Sequence, residues 1–256
     1  MSNAFPKART AAERALALDS TLAEPRATLG FVHLYYTWDW DAADREFKHA
    51  IARNPSYATA HEWYGLYLTS MGRFEESREH ERAAQQLDPL SVAIAGSAGF
   101  MLHYAGENES AIRELQIALR ADPAFPLGHF YLGRVYQQLG ATDSALVQYA
   151  ATGELRAWVP TIVAEGHLLG VLGRTSEAEA RLARLDSLLR TKYVTAYGVA
   201  LIHAAVRRPD SAFVWLEKAY QERTNWMVWL NRDPRWSSIR GDPRFAAITT
   251  RMGLPR

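Results

Sequence analysis

The chain has 256 residues, long for one globular core and suited to a repeat array, and 48% of them are apolar. Its 29 Lys and Arg nearly balance 28 Asp and Glu, so a formal charge of +1 argues against nucleic acid as a partner and exerts no general pull on anionic membrane. The lack of cysteine excludes disulfides and thiolate metal sites. No apolar run reaches the roughly 20 residues of a membrane helix, residues 1–14 lack the apolar core of a secretory signal, and a cytoplasmic location is the expectation.

The first element in chain order is a helix over residues 5–18, opening on Phe5-Pro6 and closing before Asp19-Ser20. It reads as the second helix of a pair whose first helix would precede Met1. One neighbour cannot cover all of Phe5, Ala8, Ala12, Ala15 and Leu16, and uncovered apolar surface costs about 25 cal/mol per Å². Fraying of residues 1–20, end-to-end self-association through residues 5–18, or upstream sequence is therefore expected.

Beyond it the punctuation is periodic. Asn54-Pro55, Asp88-Pro89 and Asp122-Pro123 lie 34 residues apart, each between apolar helical stretches. Proline stops a helix because it lacks the amide proton and clashes with the preceding turn. Gly65, Gly99 and Gly133 keep the same spacing, with Gly30 one insertion earlier. Glycine inside a helix costs about 1 kcal/mol against alanine, which makes sense where a neighbouring helix must come close. Ala43, Ser77, Ala111 and Ala145 form a second small series; Gly72, Gly106 and Gly140 mark turns that suit a left-handed residue. Large residues such as Leu68, Leu102, Leu132, Phe47, Leu115 and Tyr149 alternate with them, as interlocking antiparallel helices require.

The units so defined are a half unit at 1–20, then 22–55, 58–89, 92–123, 126–157, 159–190 and 193–224, with a cap at 225–256, all in one array over 1–256. Unit 22–55 carries one extra residue at Thr37-Trp38-Asp39, so its turn should be wider. The last two units lack a closing Asp-Pro, and Pro209 is placed to open the second helix of the last pair. Asp233-Pro234-Arg235-Trp236 and Asp242-Pro243-Arg244-Phe245 predict two short helices, each begun by Asp-Pro, whose aromatic residues close the open end.

His129, Leu132-Gly133, Tyr136, Gly140, Ala145 and Tyr149, with collinear copies over 92–123 and 58–89, resemble the tetratricopeptide repeat. That resemblance implies an all-α superhelix of antiparallel pairs, right-handed, with the first helix of each pair lining the inner surface. The run from Leu29 to Trp40, His61-Glu62-Trp63-Tyr64-Gly65 and the closing Met252-Gly253-Leu254-Pro255 are similar to a narrower group. These are the C-terminal arrays of bacterial Ser/Thr protein kinases, winged-helix regulators and adenylate-cyclase-like signalling proteins.

No constellation for catalysis, cofactor or metal emerges. His61-Glu62 has no second histidine four residues on, a phosphate loop is missing, and Ala95-Gly96-Ser97-Ala98-Gly99 has alanine where a nucleophile elbow needs flanking glycine. His33, His61, His129 and His203 occupy packing positions of the repeat. Trp38 and Trp40 bracket the first turn, and Trp226, Trp229 and Trp236 cluster near the end. Packing at the turn and cap is the role expected of them, with binding as the alternative. Seven arginines from Arg223 onward face only Asp233 and Asp242, which suits either a solvated cap or an acidic partner.

By the register of the repeat, the inward groove holds Phe31, Tyr35, Glu62, Leu66, Phe100, His103, Tyr104, Phe130, Arg134 and Gln138. It is aromatic and mostly uncharged, and lacks the Lys and Asn with which chaperone-binding relatives clamp a terminal carboxylate. An apolar extended segment or an amphipathic helix fits it better. The expected function is a non-enzymatic protein-interaction scaffold, the docking or sensory part of a bacterial signalling protein, with a protein or peptide partner. The alternative is a small-ligand-binding regulatory domain of a transcriptional regulator or kinase, for which Arg134, His103 and Gln138 are the inward polar candidates.

Overall fold

The computed structural model describes residues 4–153, 158–190 and 192–255. Among them are 14 α-helices and no strand. After α1 (Ala4–Leu18) come six pairs: α2 (Glu24–Val32) with α3 (Trp40–Arg53), α4 (Ala58–Ser70) with α5 (Phe74–Leu87), and α6 (Val92–Tyr104) with α7 (Asn108–Ala121). Then follow α8 (Pro126–Gln138) with α9 (Thr142–Ala150), α10 (Val159–Val171) with α11 (Thr175–Leu188), and α12 (Ala196–Ala205) with α13 (Pro209–Gln221). Behind them lie two 3-10 turns, Asn225–Trp229 and Pro234–Trp236, and a last helix, α14 (Pro243–Arg251). This is the all-α solenoid of helix pairs that the repeat predicts. The end of the unit expected at 126–157, the first three residues of the chain and Arg256 lie outside the described residues.

Each pair ends as its sequence dictates. Asn54, Asp88 and Asp122 have φ of −138°, −138° and −135°, extended backbone imposed by the proline that follows. Between the helices of a pair, Gly72, Gly106, Gly140 and Gly173 take φ from 73° to 85°. Around Gly72, Arg73 N donates to Leu68 O at 2.9 Å and Gly72 N to Thr69 O at 3.0 Å. That is the bond pattern of a left-handed helix ending. Arg207, at φ 60°, makes the same ending in the last pair without glycine.

The extra residue of the first unit is absorbed inside the helix. His33–Thr37 follows α2 as a π-helical turn, and Trp38 then takes φ 57°. The mid-helix glycines allow close approach: a Cβ on Gly30, Gly99 or Gly133 would lie 2.8, 2.4 or 2.6 Å from Phe47, Leu115 or Tyr149 of the partner helix. The second unit differs, because Glu81 stands at the position of those large residues. Glu81 is 6% exposed, and burial followed by the charge of Glu114 pushes its carboxyl up to about 7.

Residues 222–255 do more than close the last pair. Asp233 and Asp242 cap their helical turns through the backbone N of Arg235 and Arg244, as the Asp-Pro signals predict. Trp236 is fully buried, edge-on to Tyr197 at 5.1 Å, and α14 packs on α13. The tail also reaches the first unit, where Trp40 Nε1 donates to Met252 O at 2.8 Å, and α13 does so beside it, with the rings of Trp38 and Tyr220 5.5 Å apart. The array thus closes on itself, and the tail crosses its concave face.

Candidate functional site

One side of the concave face is filled by the chain itself. Trp229, 2% exposed, sits with its ring 4.8 Å from both Phe100 and Tyr104. Beyond it Asp233 is fully buried between two guanidinium groups. Arg134 Nη2 donates to it at 3.3 Å and Arg235 Nη2 at 2.6 Å, while Tyr197 Oη donates at 3.0 Å. Burial would raise the Asp233 carboxyl, but Arg235 and then Arg134 outweigh it and hold the group far below the carboxylate range. Arg134 also donates to Tyr104 Oη at 2.9 Å. His103 and His167 border this centre, and burial, with Arg134 beside the one and Arg235 beside the other, lowers them to about 3 and about 4.

The tail arginines are spent on backbone as much as on carboxylates. Arg223 donates to Tyr36 O and Thr37 O, at the end of the π turn, and its guanidinium lies 5.0 Å over the Trp38 ring. Arg232 reaches Ser70 O and Met71 O at the end of α4. Cations at the negative ends of helix dipoles are favourable. Arg244 pairs with Asp210 and Asp242, and Arg251 with Glu217. Arg223, Arg232, Arg244 and Arg251 therefore dock the tail on the array, Arg235 and Arg240 bond within the tail, and Arg256 lies outside the described residues.

The other side of the concave face is open. Three cavities of about 190, 320 and 400 Å³ meet at Asn225. The first is floored by Phe31, Tyr35, Leu66, Phe100, Tyr131 and Trp229, and the third runs past Tyr131, Trp158 and Tyr193. Phe5, Tyr36 and Thr224 wall the second. Two polar atoms at the junction, Asn225 Oδ1 and Thr224 Oγ1, are buried and have no hydrogen-bond partner. Aromatic floors with a few polar atoms are the usual lining of binding clefts.

The residues predicted from register divide between the two sides. Phe31, Tyr35, Leu66 and Phe100 line the cleft, and Glu62 stands one turn before Leu66 with Oε1 accepting from Ser97 Oγ at 2.6 Å. Tyr104 and Arg134 lie under the tail, and His103 Nδ1 bonds Asn108 Oδ1 at 2.9 Å. Phe130 is 2% exposed, with its ring 5.3 Å from Trp158, and Gln138 is exposed at the rim. Tyr131, Trp158, Tyr193, Asn225 and Trp226 belong to the cleft and escaped the register reading. Tyr131 follows Ser97 by one period, a signal the sequence does carry. Among the described residues no three His, Asp or Glu side chains gather as metal ligands.

The repeat histidines pack. His61 and His129 bond the carbonyls of Pro55 and Pro123 at 3.2 and 2.9 Å through Nε2. Their Nδ1 atoms meet His80 and Gln148 on the partner helices.

Comparison with known proteins agrees with this architecture. Residues 32–92 match a tetratricopeptide repeat family, and residues 99–140 match a second family described as a TPR repeat. Among solved structures, a chain of the human IFIT1 dimer with m7Gppp-AAAA aligns with a TM-score of 0.66 at 15% identity, over 98% of this chain and 65% of that one. A chain of the APC/C hetero-tetramer Cut9-Hcn1 gives 0.62 at 15% identity, over 98% and 46%. PilW, a type IV pilus biogenesis factor, gives 0.58 at 14%, over 85% and 97%. The chain thus spans under half the length of the Cut9-Hcn1 chain and about two thirds of the IFIT1 chain. No helix among the described residues is long and apolar enough to cross a membrane. Residues 32–92 and 99–140 are tetratricopeptide repeats, and the array built around them has the fold of a tetratricopeptide solenoid.

Proposed function

We propose that the protein is a non-enzymatic scaffold that holds an extended peptide segment of a partner protein in the aromatic cleft beside Trp226. The observation that carries this reading is the division of the concave face. The tail fills the side at Tyr104 and Arg134, while the side at Tyr131 and Trp158 stays open and lined by rings. Aromatic floors give large contact area at low cost in side-chain freedom. The similarity of its motifs to C-terminal arrays of bacterial kinases and regulators supports a docking or sensory role within a signalling protein.

Panning a phage-displayed dodecapeptide library on the chain, then titrating the recovered peptides by fluorescence anisotropy, tests the reading. Tyr131→Ala and Trp226→Ala should each weaken binding about tenfold or more, the loss typical of a hot-spot ring. Glu76→Ala, on an exposed helix face, should leave it unchanged. Peptides that bind all three variants equally well would place the receptor surface elsewhere.

A further inference from the structure

We propose that the cleft carries a cation-recognising subsite at Glu62, which takes a lysine or arginine side chain of the bound peptide. This rests on the peptide-binding reading of the cleft and adds the chemistry of one contact.

An imbalance of charge marks the position. Glu62 is partly buried, and its Oε1 accepts from Ser97 Oγ at 2.6 Å. It enters no ion pair among the described residues, whereas two other buried or partly buried carboxylates do: Asp44 with Arg73 and Lys48, and Glu165 with Arg181. Burial raises its carboxyl above the ordinary value, and the bond from Ser97 lowers it only in part. A partly desolvated carboxylate with one hydroxyl donor is under-compensated, and an incoming cation repairs that.

The surroundings favour an organic cation over a bare ion. The adjoining chamber is lined by no Lys or Arg, and it offers ring faces. Phe31 lies 4.5 Å from Tyr35 and 4.6 Å from Trp63, centroid to centroid, and Tyr131 lies 4.9 Å from Phe100. Aromatic faces attract ammonium and guanidinium groups and also pack the methylene stem that carries them. Glu62 is bonded to Ser97, which lines the chamber, and a carboxylate behind such a wall selects for a side chain that is apolar along its length and positive at its tip. The repeat position explains why the sequence alone leaves this hidden. Ala27, Gly96 and Phe130 stand where Glu62 stands in the neighbouring units, so the charge occurs once in an otherwise apolar series.

The test uses the same dodecapeptide library, panned in parallel on the wild-type chain, Glu62→Gln and Glu62→Lys. The wild type should enrich peptides with a Lys or Arg among apolar residues. A synthetic copy of the strongest binder should lose about tenfold or more in affinity on Glu62→Gln, as charge-pair truncations do. Glu62→Lys should abolish its binding. Changing the peptide's Lys to norleucine, or its Arg to citrulline, should cost as much on the unaltered chain, a measurement independent of how the variants fold. Enrichment of peptides without a basic residue, or equal affinity for Glu62→Gln, overturns the subsite while leaving the cleft standing if Tyr131→Ala still weakens binding. Binding indifferent to both Tyr131→Ala and Trp226→Ala removes the cleft, and the subsite with it.

Discussion

The indole of Trp40 donates its hydrogen to the carbonyl of Met252 across 212 positions of sequence, at 2.8 Å. An open solenoid has only nearest-neighbour contacts, and its ends fray independently. Here the last helix touches the first turn, so the ends are coupled. Trp40→Phe removes one part-buried hydrogen bond and should cost about 1 kcal/mol. Hydrogen exchange should then quicken in α14 as well as in α2 and α3. Quickening confined to the first unit would show that the closure carries no energy.

The centre around Asp233 is the tail's strongest anchor. One carboxylate serves two buried guanidinium groups, with Arg134 and Asp233 side chains 1% and 0% exposed. Removing one partner of such a group leaves charge buried and unpaired, so Asp233→Ala should cost about 3–5 kcal/mol. A melt within one degree of the wild type would mean that the tail is displaced from the groove in solution.

Packing between helices of a pair is tested by Gly133→Leu. Its first added atom would lie 2.6 Å from Tyr149, and overpacking of this kind costs about 1–3 kcal/mol. Glu76→Ala, on an exposed face, should stay within about 0.5 kcal/mol. Equal losses in thermal melts would show the repeat register to be misplaced.

Stability should depend on pH through Glu81. Its folded value, about 7, lies above the ordinary 4.5, so the folded chain binds the proton more tightly. The contribution is therefore complete below about pH 4.5 and is lost as pH rises to 7. Each tenfold change in proton affinity is worth about 1.4 kcal/mol, so Glu81→Leu should gain about 2 kcal/mol more at pH 8 than at pH 5. His103 and His167 act with the opposite sign: their folded values, about 3 and about 4, lie below 6.5, and their contribution is lost as pH falls from 6.5 toward 4. Urea melts of Glu81→Leu should accordingly weaken on acidification without the opposing rise. An equal gain from Glu81→Leu at pH 5 and pH 8 would show that Glu81 keeps its ordinary value.

Much of the fold was legible because it is local. Asn54, Asp88 and Asp122 stop helices through the proline beside them, and Gly72, Gly106 and Gly140 turn the chain through a conformation that few other residues take. The helix expected at 5–18 lies at Ala4–Leu18. The tail's path was not legible, since no periodicity announces a contact between Trp229 and Phe100 or between Trp40 and Met252. Of the residues read as inward, Phe31, Tyr35, Leu66 and Phe100 line the open cleft. Phe130 is buried against Trp158, and the next residue, Tyr131, faces the cleft. Before α10 and α12 the Asp-Pro that precedes the earlier first helices is missing, so the register had nothing to count from, and Trp158 and Tyr193 went unassigned. Glu81 sits 34 residues from both Phe47 and Leu115, a break in pattern visible once the period is known.

The division of the concave face is the central claim, and the indole N–H resonances of the tryptophans read it directly. Titrating a library-selected peptide into ¹⁵N-labelled chain should shift the signals of Trp158 and Trp226, which border the cleft, and leave Trp236, fully buried in the docked tail, in place. A shift at Trp236 with none at Trp158 and Trp226 would show that partners enter by displacing the tail, and would contradict the assignment of the open cleft as the binding surface.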